Sequence, residues 1–64
     1  MTEKELAKIA YEYAESGDDV EMFPYCYDLR NATNEEKDDA MELLWECRNI
    51  GLKEFMKKYG LEGI

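Results

Sequence analysis

The stretch TNEEKDDAMELLWECRNIG, residues 33 to 51, decides the fold. Thr33 followed three residues later by Glu36 has the spacing of a capping box, in which side chain and backbone satisfy each other at a helix start. Glu35, Glu36, Asp38 and Asp39 crowd the first turn or so, where the positive end of the helix dipole favours acids. Ala40, Leu43, Leu44, Cys47 and Ile50 then recur at helical intervals, and at about 100° per residue they form one apolar stripe. The spacing predicts an α-helix from Asn34 to about Ile50, with Gly51 as its stop.

The same rules work outward in both directions. Thr2 and Glu5 repeat the capping-box spacing, and Leu6, Ile9, Ala10, Tyr13 and Ala14 keep helical register until Ser16 and Gly17. This predicts a helix from Glu3 to Ser16. Its outward face mixes Lys4, Lys8, Glu12 and Glu15, so opposite charges compensate one another. On the far side of Gly51, Leu52, Phe55, Met56 and Tyr59 predict a separate helix from Leu52 to Tyr59, stopped by Gly60. Leu61 and Ile64 are expected to fold back on the core.

Between Gly17 and Thr33, Gly17-Asp18-Asp19 is a turn signal. Pro24 lacks an N–H and suits a first helical position, so a short helix is expected from Pro24 to about Asn31. The alternation around Tyr25, Cys26 and Tyr27 also suits a short strand, which would have no partner elsewhere in the chain. The expected architecture is all-α: one small acidic domain over residues 1–64, a bundle of three to four short helices.

The composition restricts function. At 64 residues a domain buries only about 60% of its unfolded surface, which leaves little room for an enclosed active site. Sixteen acids against eight bases give a net charge of −8, which repels nucleic acid and anionic membranes and attracts basic surfaces. The charge is uneven: residues 1 to 46 hold fourteen acids and four bases, and residues 47 to 64 hold two acids and four bases. No run approaches the roughly eighteen apolar residues of a membrane span, and the opening MTEKE is not a signal sequence. A cytoplasmic protein is expected, in a host cytoplasm if phage-encoded. Cys26 and Cys47 are then expected as buried, reduced thiols that pack as small apolar residues.

Catalytic chemistry finds no footing. There is no histidine, hence neither the usual general base nor the commonest metal ligand. Ser16 is the only serine and has no activating partner. Carboxylate pairs are plentiful, but general acid catalysis needs one of them buried. Asn31, Thr33, Glu35, Lys37, Asp39 and Glu42 fall at the 1, 3, 5, 7, 9 and 12 positions of a calcium loop, yet Glu36 stands where the sharp turn needs glycine. The capped helix start explains the same residues. No catalytic residue, metal site or cofactor is expected.

What remains is a surface. Glu35, Asp39, Glu42 and Glu46, spaced by four, three and four, form one edge of the main helix, with Asp38 alongside. The ridge extends roughly 16 Å and has no interleaved lysines, so its carboxylates repel one another. Its plain role is a solvated face. Its functional role is an acidic surface for the basic site of a larger nucleic-acid-binding protein, as in a phage-type, anti-CRISPR-like antagonist of a host defence or transcription protein.

Trp45 and Met41 occupy the other flank. A tryptophan in a small bundle is ordinarily packed between helices; exposed beside the ridge, it becomes an interface anchor. Tyr25 or Tyr27 must face outward on a short helix. Arg48, Lys57 and Lys58 lie near helix C-termini, where cations are favoured. The alternative to the acidic interface is a recruitment module or homodimer built on the aromatic surface, with Glu35, Asp38, Asp39, Glu42 and Glu46 serving solubility.

Overall fold

The structure, a computed structural model, describes residues 1–62. Three α-helices are present, α1 (Glu3–Ser16), α2 (Asn34–Ile50) and α3 (Leu52–Tyr59), with two 3-10 turns, η1 (Val20–Tyr25) and η2 (Tyr27–Leu29), between α1 and α2. There is no strand among the described residues. The architecture is the expected all-α bundle.

Local chemistry sets the ends of the α-helices where the sequence places them. The Thr2 hydroxyl accepts from the Glu5 N–H at 3.1 Å, and Glu5 accepts from the Thr2 N–H at 2.8 Å. Thr33 and Glu36 repeat the exchange at 3.1 and 2.9 Å, so both helices begin with reciprocal caps. Gly51 ends α2 and precedes α3 with φ +93° and ψ 155°, a region open essentially to glycine alone. The kink it makes lets α3 fold back on α2 instead of prolonging it.

Residues 24–31 depart from the expected helix. Pro24 lies inside η1, which Asp19 starts by accepting from the Glu21 N–H at 3.0 Å. Cys26 is extended, with ψ 161°, and separates the two turns. Packing supplies the reason. Phe23 and Leu29 are both fully buried, and six residues apart on one α-helix they would point about 120° away from each other. The break at Cys26 turns both into the core. Tyr25 and Tyr27 consequently both face solvent.

The core gathers Leu6, Ala7 and Ala10 of α1, Phe23 and Leu29 of the crossover, Ala40, Leu43, Leu44 and Cys47 of α2, then Phe55 and Leu61. Leu61 folds back as expected; Ile64 lies outside the described residues. The thiols are unpaired, Cys47 buried and Cys26 half-buried, and burial pushes the Cys47 thiol pKa up. Tyr13 anchors the crossover to α1: its ring packs on Phe23 with centroids 4.7 Å apart, and its hydroxyl donates to the Asp19 carbonyl at 2.6 Å.

Helices α1 and α2 run side by side in the same direction. The Met1 amino group meets Glu36 in the first turn of α2, Leu6 shares a groove with Leu43, and Tyr11 lies near Cys47. The crossover of residues 17 to 33 therefore returns the chain along the bundle before α2 begins. Helix α3 runs the opposite way, with Met56 beside Tyr11 and Glu15, and Tyr59 near Glu3.

Candidate functional site

The parallel pairing of α1 and α2 opens a groove of about 500 Å³ along one side of the molecule. Asp39, Glu42 and Glu46 come to it from α2, at the helical neighbour spacing of three and four. Glu36 lies one turn before Asp39 and faces the same way, and Glu3 comes from the first turn of α1. Leu6, Leu43 and Tyr59 line its apolar part. Five carboxylates from two helices thus share one depression.

The chain neutralises the two ends of this set itself. At one end the Met1 amino group donates to Glu36, which also accepts from the Thr33 N–H. The amino group foremost, then the Thr33 N–H, holds the Glu36 carboxyl below the usual range, and Glu36 in turn raises the amino group's pKa. At the other end Lys58 and the Tyr59 hydroxyl donate to the two oxygens of Glu46. Lys58 first, and Tyr59 next, lower the Glu46 pKa, while Glu46 raises those of both donors. Among the described residues, Glu3, Asp39 and Glu42, between these ends, form no ion pair.

The ridge foreseen from spacing is therefore divided. Asp39 and Glu42 border the groove; Glu46 also does, but is half-buried and held by α3. Glu35 and Asp38 are exposed outside the groove. Glu3 and Glu36 were missed. Glu36, three residues before Asp39 on α2, was legible from helical spacing, whereas the part of Glu3 depends on how α1 docks on α2, for which no local pattern in the sequence codes.

Trp45 is 51% exposed, so it is a surface residue and not the core anchor that size alone suggests. It stands three residues beyond Glu42 and four beyond half-buried Met41, the spacings of neighbours on a helix surface. The Arg48 guanidinium lies 5.8 Å from its ring centroid, within cation–π reach. Arg30 stacks on exposed Tyr27 in the same manner, at 3.9 Å. Both arginines of the chain thus lie over solvent-facing aromatic rings.

Among the described residues no group of three or more Asp, Glu or Cys side chains could hold a metal ion, and the stretch that mimics a calcium loop is α-helical from Asn34 onward. Among the described residues no helix is long and apolar enough to cross a membrane. In comparisons with protein-family models, curated proteins and solved structures, the chain matches none.

Proposed function

We propose that this chain is a non-enzymatic, acidic protein-binding inhibitor or regulator, whose α2 surface engages a basic site on a larger, nucleic-acid-binding partner. One observation carries the reading: Glu35, Asp38, Asp39 and Glu42 stand exposed without a paired cation among the described residues, whereas neighbouring Glu36 and Glu46 are each matched by one. A row of uncompensated carboxylates costs repulsion within the helix, and a basic partner relieves it. With a net charge of −8, the approach to such a partner is steered over long range. In its sharpest form the reading makes the chain a nucleic-acid mimic, cytoplasmic and phage-encoded, that displaces the natural ligand of a host defence or transcription protein. Trp45, beside Glu42, supplies the apolar contact that charge alone leaves wet.

A second reading has its own support. Tyr25 and Tyr27 are 76% and 72% exposed and Trp45 is half exposed, a supply of aromatic contact area suited to a recruitment module or homodimer.

Affinity capture distinguishes the two. The native chain is compared with a Glu35→Gln, Asp39→Asn, Glu42→Gln variant, which leaves the Glu46 contacts intact, and with Trp45→Ala. Loss of a nucleic-acid-binding partner in the carboxylate variant, with native binding that fades between low and physiological salt, supports the acidic interface. Equal recovery by the carboxylate variant, and loss only with Trp45→Ala, overturns it in favour of the aromatic one.

A further inference from the structure

Helix α3 is joined to α2 by Gly51 alone, and the kink there uses a backbone conformation, φ +93° with ψ 155°, that glycine adopts and other residues resist. The sequence across the joint also fits a straight helix. Met41, Trp45, Arg48, Leu52, Phe55 and Tyr59 follow one another at spacings of four, three, four, three and four, which on an unbroken helix is one heptad stripe, apolar at every place but Arg48. The kink splits this stripe. Phe55 is fully buried, Met41, Leu52 and Tyr59 are half-buried, and Trp45 is left 51% exposed.

Straightening would remove α3 from its own core. On an unbroken helix Leu52, Phe55, Met56 and Tyr59 point about 120° away from Ala40, Leu43, Leu44 and Cys47, the side of α2 that faces the core. A single helix from Asn34 to Tyr59 would be roughly 39 Å long, whereas the longest dimension of the folded chain is 26 Å. The released α3 and the site it vacates are then complementary to those of a second copy in the same state. A short hinge held in a demanding conformation favours such an exchange.

We infer that α3 exchanges between two copies of this chain: Gly51 straightens, α2 and α3 become one helix, and each α3 docks on α1 and α2 of the other copy. The contacts it makes there are those of the closed chain, Lys58 and Tyr59 on Glu46 and Met56 beside Tyr11, now formed between chains. The heptad stripe carries the apolar face of α3 back past the hinge to Trp45, so the exposed tryptophan lies on the side that meets the second copy. The exchange needs no basic partner, and its success or failure is separate from that of the proposed function.

The test compares the native chain with Gly51→Ala and with a chain carrying Ser-Gly-Gly inserted after Gly51, each sized by light scattering from micromolar to millimolar concentration. Alanine resists the kink and favours the continuous helix, and a dimer contains two such hinges, so Gly51→Ala should dimerise at least about a hundredfold more tightly than the native chain. The insertion interrupts the straight helix and gives α3 a slack path home, so that chain should stay monomeric throughout. In a Gly51→Ala dimer mixed from isotope-labelled and unlabelled chains, filtered NOE spectra should place the Met56 methyl of one chain beside the Tyr11 ring of the other. Dimerisation no tighter than native, or contact between Met56 and Tyr11 only within one chain, overturns the inference. Should Gly51→Ala fail to fold, the native chain decides: a dimer at millimolar concentration that the insertion abolishes supports the exchange, and equal behaviour of the two chains overturns it.

Discussion

Tyr59, the last residue of α3, donates its hydroxyl to Glu46 of α2, and Lys58 donates to the other oxygen of the same carboxylate. Glu46 is thereby a fastener between two helices while it borders the acidic groove. Its neighbours in the ridge have no such duty, so the carboxylates of α2 should respond differently to substitution.

The pH dependence has a definite sign. The folded state lowers the pKa of Glu46 below its ordinary 4.5, through Lys58 foremost, and that of Glu36 likewise, through the Met1 amino group foremost. Each contribution is fully present above the unfolded pKa and is lost as pH falls through the depressed folded value. Lys58 has its pKa raised by Glu46, so its share is present below the ordinary lysine value and is lost as pH rises through the folded one. With no histidine, the melting temperature should hold a plateau from about pH 5 to 7 and fall on acidification. In Glu46→Gln the part of that acid slope due to Glu46 should be missing, with the part due to Glu36 retained. Thermal melts by circular dichroism between about pH 2 and 7 check this, and an unchanged slope in the variant would refute it.

Gly51 should resist substitution although there is room for it. A Cβ added there meets nothing within 4 Å, but φ is +93° with ψ 155°. Gly51→Ala should therefore cost about 1 to 3 kcal/mol through backbone strain alone. Urea denaturation measures it; a cost near zero would mean that α3 docks by another route.

Phe55 and Trp45 should behave oppositely despite comparable size. Phe55 is fully buried and packs on Tyr59 with ring centroids 4.7 Å apart, so Phe55→Ala should cost about 3 to 5 kcal/mol. That is a large share of the total available to a domain this small, about 3 to 10 kcal/mol at the usual stability per residue, and much of the variant should be unfolded at 37 °C. Trp45→Ala should stay within about 0.5 kcal/mol of the native chain while reducing partner capture. Trp45 fluorescence should be readily quenched by acrylamide in the folded protein; a strongly shielded emission would contradict its exposure.

Thr33 should report on the start of α2. Its hydroxyl accepts from the Glu36 N–H at 3.1 Å, and Thr33→Ala should cost about 1 kcal/mol. Thr33→Ser should restore most of it, because serine presents the same acceptor. Equal loss in both variants would assign the effect to the methyl group instead of the cap.

The bounds of α1, α2 and α3 were legible because their signals are local. Thr2 with Glu5, Thr33 with Glu36, and the glycines at 17, 51 and 60 act within one turn of the chain, and the apolar spacings between them repeat every three or four residues. The crossover was not legible in this way. Pro24 reads as a helix start by its own chemistry, yet the shared burial of Phe23 and Leu29 required the break at Cys26. Trp45 was ambiguous for a related reason: its size argues for burial, while its place on α2, away from Leu44 and Cys47, is resolved only once the neighbouring elements have docked.

The sequence by itself determined three α-helices, two of them opened by capping boxes, an apolar stripe on each, a strongly acidic surface and a row of carboxylates along α2. Only the tertiary structure decided that α1 and α2 run parallel, that Glu3 joins Glu36, Asp39, Glu42 and Glu46 in one groove, and that Lys58 and the Met1 amino group neutralise its two ends. The division has a physical origin. Caps and helical periodicity are interactions between residues three or four apart, whereas Glu46 meets Lys58 and Glu36 meets Met1 across separations that only the packing of the core can close.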